Sequence, residues 1–151
     1  MRDQALGATI NVAFPALAVS PGNSVHVWTE LRQDYHTRAY ALVNGYWDRL
    51  TLYDSAGLAW SVSEVTPPIS PLARFLARTV YNPRRMVRIT FREPRPFQLD
   101  ELKEQLTDLV NRDDDVLTQF IDPDDLNTLI RNSQSFKDLL AELRRHRVLS
   151  K

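Results

Sequence analysis

The sequence predicts an α+β fold: a largely antiparallel sheet, made of an N-terminal meander plus one later strand, packed against C-terminal helices. Three observations carry that expectation. Apolar and polar residues alternate with period two through much of Ser24–Val65, whereas apolar residues from Leu99 to Leu143 recur with helical spacing. Between them, Pro67-Pro68 and Pro71 take the chain out of the sheet, because proline cannot donate to a ladder. Strands in one run and helices in the next indicate an α+β arrangement. At 151 residues the chain fits one domain, 1–151, with 1–97 mostly strands apart from one helix near 70–80, and 98–147 helical.

Within the first part, Ala8–Ser20 is an apolar stretch in which Ala16-Leu17-Ala18 has the look of a cleavage site. Asp3 stands where a signal peptide carries positive charge, and Asn11 and Pro15 interrupt the apolar run, so a packed N-terminal strand or arm is preferred. Val25, Val27, Thr29 and Leu31 alternate with His26, Trp28, Glu30 and Arg32, giving a strand with one apolar face. Gln33-Asp34-Tyr35-His36 then reads as a turn. Extended segments follow over Arg38–Val43, Tyr46–Tyr53 and Leu58–Val65, with Asn44-Gly45 as the strongest hairpin signal and Asp54-Ser55-Ala56-Gly57 as a second turn. Trp47, Tyr53 and Trp60 supply large apolar contacts.

Ser70 caps a helix with Pro71 in its first turn. Leu72, Phe75, Leu76 and Val80 fall on its buried face, and Asn82-Pro83 stops it. Met86–Phe91 alternates again and is the later strand; Glu93-Pro94-Arg95-Pro96 is a stiff connector. Leu99, Leu102, Leu106, Leu109 and Val110 mark one face of a helix that carries Asp100 and Glu101 in its first turn. Asp113–Asp115 break that pattern before a short helical turn, Val116–Ile121. Asp122-Pro123-Asp124-Asp125 is a helix start, followed by the core positions Leu126, Leu129 and Ile130. Ser135 with Asp138 forms a capping box for the last helix, whose buried face is Phe136, Leu139, Leu140 and Leu143.

The chain balances 19 basic against 19 acidic side chains, which predicts no bulk affinity for nucleic acid or anionic membrane. The balance hides an asymmetry. Residues 1–97 hold 11 basic and 7 acidic side chains, and residues 98–151 hold 8 and 12. Ten carboxylates lie between Asp100 and Asp125, against Lys103 and Arg112 alone. With no cysteine there is neither a disulfide framework nor a thiolate metal site, which fits a reducing, cytoplasmic setting. No apolar run approaches the ~18 residues that span a bilayer.

Enzyme chemistry is not expected, and neither is a cofactor. His26, His36 and His146 have no HxxxH or HExxH spacing, no Gly-x-Ser-x-Gly elbow occurs, and the four glycines form no phosphate-cradling loop. His26 and His36 flank Asp34 and could converge on a metal, but exposed or locally bonded histidines explain them more simply. The aspartate cluster fails as a calcium loop. Counted from Asp113, the sixth position is Thr118 where glycine is required, and no glycine follows Gly57. Capping accounts for Asp115, Asp122, Asp124 and Asp125. The surplus of like charge does not follow from capping, so it marks either a solvated face or a binding surface. Opposite it stand Arg74, Arg78, Arg84, Arg85, Arg88, Arg92 and Arg95. These either pair with the acidic half of the chain, the preferred expectation, or bind nucleic acid with Tyr81 stacking nearby.

At Leu50–Val62 (LTLYDSAGLAWSV), Thr79–Val87 (TVYNPRRMV), Leu99–Phe120 (LDELKEQLTDLVNRDDDVLTQF) and Ser135–Leu143 (SFKDLLAEL), the chain resembles small bacterial immunity proteins of polymorphic-toxin systems. That resemblance implies a non-enzymatic protein that binds and neutralises a cognate toxin, for which a nuclease with a basic cleft would be a natural partner. The contact residues then expected are Asp113, Asp114, Asp115, Asp122, Asp124 and Asp125, with Gln119 as a neutral contact. Two alternatives are a nucleic-acid-associated module using 74–95, and a structural subunit with the aromatic meander as its interface.

Overall fold

In the computed structural model, the described residues are 11–20, 24–38, 41–42, 45–66, 71–72, 75, 84–111 and 121–146. The fold is α+β. Strands β1 (Ala16–Ser20), β2 (Ser24–Trp28), β3 (Tyr35–Arg38), β4 (Thr51–Tyr53), β5 (Leu58–Thr66), β6 (Arg84–Phe91) and β7 (Arg95–Pro96) form one curled antiparallel sheet in the order β2-β1-β4-β5-β6-β3, with β7 also on β5. Helices α1 (Leu99–Asn111), α2 (Pro123–Asn132) and α3 (Phe136–Arg145) follow.

Period-two alternation sends the strand side chains into two cores. Leu17, Val19, Val25, Tyr53 and Ala59 point to the helices and pack with Leu102, Leu106, Leu109, Leu126, Ile130, Leu139 and Leu143. Ala16, Ala18, Leu52, Trp60, Val62 and Val87 point to the inside of the curl, where Trp47 and Leu50 join them. With both faces covered, β1 is buried at all five positions, which accounts for its unbroken apolar run. Of the segment Ala8–Ser20 expected to pack as a strand or arm, Ala16–Ser20 is a strand, paired with β2 on one side and β4 on the other, and residues 8–10 lie outside the described residues.

The curl is built into β5. Its first half pairs with β4, Thr51 opposite Ser61 and Tyr53 opposite Ala59, and its second half pairs with β6. The register shifts between Val62 and Glu64, and a bulge at that place bends the strand and raises its twist. Along the same side of β5, β7 continues where β6 stops: Arg92 N–H donates to Ser61 O at 2.8 Å, and Pro96 lies opposite Leu58. The expected stiff connector thus contributes a short strand of its own.

Several expectations are corrected. The hairpin predicted at Asn44-Gly45 does not form. Residues 41–42 are helical, Tyr46 N–H donates to Ala41 O at 3.0 Å, and Gly45 N–H donates to Leu42 O at 3.2 Å. These two bonds make a Schellman helix end around Gly45, whose φ of 74° is the left-handed conformation that motif needs. The strand predicted over Tyr46–Tyr53 is shortened to β4, because Trp47 and Leu50 turn into the inner core first. The turn predicted at Gln33–His36 lies earlier: the strand from Ser24 ends at Trp28, and Tyr35 and His36 already belong to β3. Instead of joining a meander, β3 crosses to β6, Tyr35 opposite Val87. The turn at Asp54–Gly57 does form, with Gly57 at φ 86°.

The helix expected over Ser70–Val80 lies mostly outside the described residues. Pro71, Leu72 and Phe75 are helical, but Leu72 and Phe75 are 69% and 66% exposed, so the apolar face expected to be buried is not packed at these two positions. The turn Val116–Ile121 lies outside the described residues except for Ile121.

Candidate functional site

Helix α2 starts as its sequence dictates. Asp122 is the N-cap, with extended φ and ψ of −62° and 138°, and its Oδ1 accepts from Asp124 N–H at 2.9 Å; Pro123 occupies the first turn. Asp122, Asp124 and Asp125 are all exposed, and neither Asp124 nor Asp125 takes part in an ion pair among the described residues. Three of the expected site residues are therefore together at one helix end. Asp113, Asp114, Asp115 and Gln119 lie outside the described residues.

Lys103, the one lysine between Asp100 and Asp125, does not neutralise this helix end. Lys103 Nζ donates to Ser133 O at 2.5 Å and to Arg131 O at 3.0 Å, binding the carbonyl end of α2. A cation there opposes the negative pole of the helix dipole. From α2 a groove of about 530 Å³ runs to α3, with Ile121 and Leu129 as its apolar part and Asp125, Asp138 and Glu142 on its walls. Asp138 is taken up by the cap of α3, accepting from Gln134 N–H at 3.0 Å. Glu142 accepts from Arg145 at 2.7 Å and lies 3.6 Å from His146.

Among the described residues, two arginines of the opposite pole form ion pairs. Arg95 Nη2 and Nη1 bind Glu101 Oε1 and Oε2 at 2.5 and 3.2 Å, a bidentate pair that ties β7 to α1. Hydrogen bonding from Arg95 holds the Glu101 carboxyl below its ordinary range. Arg88 Nε binds Asp34 Oδ1 at 2.7 Å, so its partner comes from the first part of the chain and not from the acidic half. Arg85 and Arg92 are exposed, whereas Arg74, Arg78, Tyr81 and the side chain of Arg84 lie outside what is described. Asp34 is engaged by Arg88, and His26 and His36 stand on the two opposite edge strands of the sheet. No group of three or more metal-ligating side chains occurs among the described residues.

A second concavity was not foreseen from the sequence. A cleft of about 520 Å³ opens beside β3, lined by Trp28, Tyr35, Trp47, Tyr46, Glu30 and Arg32 among others. Trp28 stacks on Tyr35 with ring centroids 5.0 Å apart, and Trp47 lies 5.2 Å from Tyr35 and 6.4 Å from Trp28. Trp47 is 5% exposed and its Nε1–H donates to Thr37 Oγ1 at 2.9 Å, which fixes β3 over the inner core. The aromatic content of residues 28–47 was the visible signal. What gathers those rings in one place is the crossing of β3 to β6, which local pattern does not encode.

No protein-family model matches the chain, and no curated protein or solved structure matches it either.

Proposed function

We propose that the protein is a non-enzymatic binding protein that neutralises a cognate toxin, in the manner of small bacterial immunity proteins, through the acidic surface at the start of α2 and residues 113–119 that precede it. The observation that carries this is the pair Asp124 and Asp125. Asp122 already supplies the cap, so their exposed carboxylates are surplus to folding the helix, and Lys103 is bound to backbone carbonyls at the other end of α2. Asp124 and Asp125 take part in no ion pair among the described residues, and charge of one sign on a surface steers a partner of the opposite sign and raises its association rate. A toxin with a basic, phosphate-binding cleft has the complementary surface.

Co-purification with the product of the adjacent gene tests the pairing. Replacing Asp113, Asp114, Asp115, Asp124 and Asp125 together by asparagine keeps shape and capping while removing five charges. The expected result is binding at least tenfold weaker, with a flatter dependence on salt. Unchanged binding by that variant would remove the acidic surface from the account.

A further inference from the structure

The aromatic cleft stands apart from the acidic helix end, since none of the described residues that line it belongs to α2 or α3. Its volume, about 520 Å³, falls within the ~300–1,000 Å³ of small-molecule sites. Trp28 ends β2 and Tyr35 begins β3, while Tyr46 and Trp47 follow the helix end at Gly45. Trp28, Tyr35 and Tyr46 pack on the inner core yet are only half-buried, so part of each side chain remains exposed.

Polar groups stand beside these rings. Glu30 Oε1 accepts from Arg32 Nε at 3.2 Å, and both side chains are exposed, which leaves a carboxylate oxygen and the terminal guanidinium nitrogens for a ligand. Tyr35 Oη accepts from Arg32 N–H at 2.9 Å, and a phenol that accepts still has its own proton to donate. Burial pushes the Tyr35 hydroxyl above its ordinary range, so it stays a neutral donor. Glu30 and Arg32 balance each other in charge, and Arg38, which also lines the cleft, already has an interaction of its own.

These features together describe a ligand. Aromatic faces carry negative charge density and attract weakly positive C–H hydrogens. Donors and acceptors side by side suit hydroxyl groups, which donate and accept at once. A balanced pair of charges suits a neutral molecule. The geometry points to a saccharide-binding site: a neutral pyranose lies with a C–H face on the Trp28 indole and with its hydroxyls bonded to Glu30, Arg32 and Tyr35 Oη. Other ligand classes fit less well. A planar aromatic ligand needs two parallel rings with a gap between them, but Trp28 and Tyr35, the nearest to parallel at 23°, already stack on each other. A cage for a quaternary ammonium needs rings around an empty centre, whereas these rings touch. A single-stranded nucleic acid needs a basic track, and here Glu30 offsets Arg32.

Glucose, galactose, mannose and N-acetylglucosamine, each alone and as a trisaccharide, are titrated into the intact protein. At least one is expected to change tryptophan fluorescence saturably and to shift the amides of residues 28–37 and 46–47, with a roughly millimolar Kd for a monosaccharide. A trisaccharide bound at least tenfold tighter than its monosaccharide identifies a glycan chain as the ligand, and equal affinities identify a free sugar. Because the ligand is uncharged, going from ~50 to ~500 mM salt leaves the affinity within twofold. Glu30→Gln, at an exposed position, keeps the unfolding midpoint and weakens binding at least fivefold. Trp28→Ala weakens it at least tenfold and Trp28→Phe restores part of it, which separates loss of the platform from loss of the fold. No saturable change with any of these sugars, amide shifts confined to α2 and α3, or unchanged binding by Glu30→Gln would each overturn the proposal. So would tighter binding of indole, choline or octathymidylate in the same cleft.

Discussion

Trp60 Nε1–H donates to Asp54 Oδ2 at 2.9 Å, joining a fully buried carboxylate to an indole of the inner core. The same carboxylate accepts from Ala56 and Leu58 N–H, both at 2.9 Å, and from Ala13 N–H at 3.2 Å. Asp54 therefore closes the β4–β5 turn and also ties the segment before β1 to it. Removing the acceptor leaves these donors without it, the Trp60 indole N–H in a buried place and the three backbone N–H groups in partly buried ones.

Asp54→Ala is expected to destabilise the protein by about 3 kcal/mol, since a buried donor left unpaired costs ~1–3 kcal/mol. Asp54→Asn keeps one acceptor oxygen and costs less, while Trp60→Phe removes one donor and leaves the turn bonds in place. Urea unfolding reads all three as lower midpoints, with the slope unchanged if the unfolded state is unaffected.

Gly57 isolates a purely conformational effect. Its φ is 86°, and nothing lies within 4 Å of where a Cβ would sit. Gly57→Ala is expected to cost roughly 1 kcal/mol through the left-handed backbone alone, and Gly57→Asn less, because asparagine tolerates that region better. Equal midpoints for Ala and Asn would place the cost elsewhere than in the backbone.

How far the fold was legible follows from how far each signal reaches. Asp122-Pro123 and Ser135 with Asp138 mark helix starts because a cap is satisfied within four residues; both caps form at the predicted residues. Sheet order depends on distant partners. Tyr35 meets Val87, and Asp54 meets Ala13 41 residues away, with no local residue pattern to announce either. Gly45 shows the ambiguity at its sharpest, since a positive φ serves a hairpin and a Schellman helix end equally, and the choice was made by Trp47 and Leu50 entering the core. The acidic residues at the start of α2 were legible because they are local; the aromatic cleft was not, because β2, β3 and the segment holding Trp47 meet only in the folded sheet.

The Arg95–Glu101 pair gives a pH dependence of definite sign. Arg95 lowers the Glu101 pKa in the folded state, so the pair's contribution is present above the ordinary value of 4.5 and is lost as pH falls through the depressed folded value. The side chains are 55% and 35% exposed, which limits the contribution to about 0.5 kcal/mol even for a bidentate pair. Glu101→Gln should therefore lower stability slightly at pH 7 and match the parent protein in strong acid. Comparing the two by urea unfolding across that range, at low and high salt, checks both the sign and the screening.

Capping and binding at the start of α2 separate by substitution. Asp122→Ala removes the acceptor of Asp124 N–H and is expected to cost about 1 kcal/mol of stability. Asp124→Asn with Asp125→Asn removes two carboxylates that make no ion pair among the described residues, and should change stability by roughly 0.5 kcal/mol or less through the helix dipole. If the surface steers a basic partner, the ranking reverses in association kinetics. The double asparagine variant slows the on-rate several-fold at low salt, and the difference fades as salt rises, because screening acts on the charge and not on the cap. Stopped-flow mixing with the partner across a salt series measures this directly. An on-rate that follows stability instead, slowest for Asp122→Ala, would mean that the helix end matters for its shape and not for its charge.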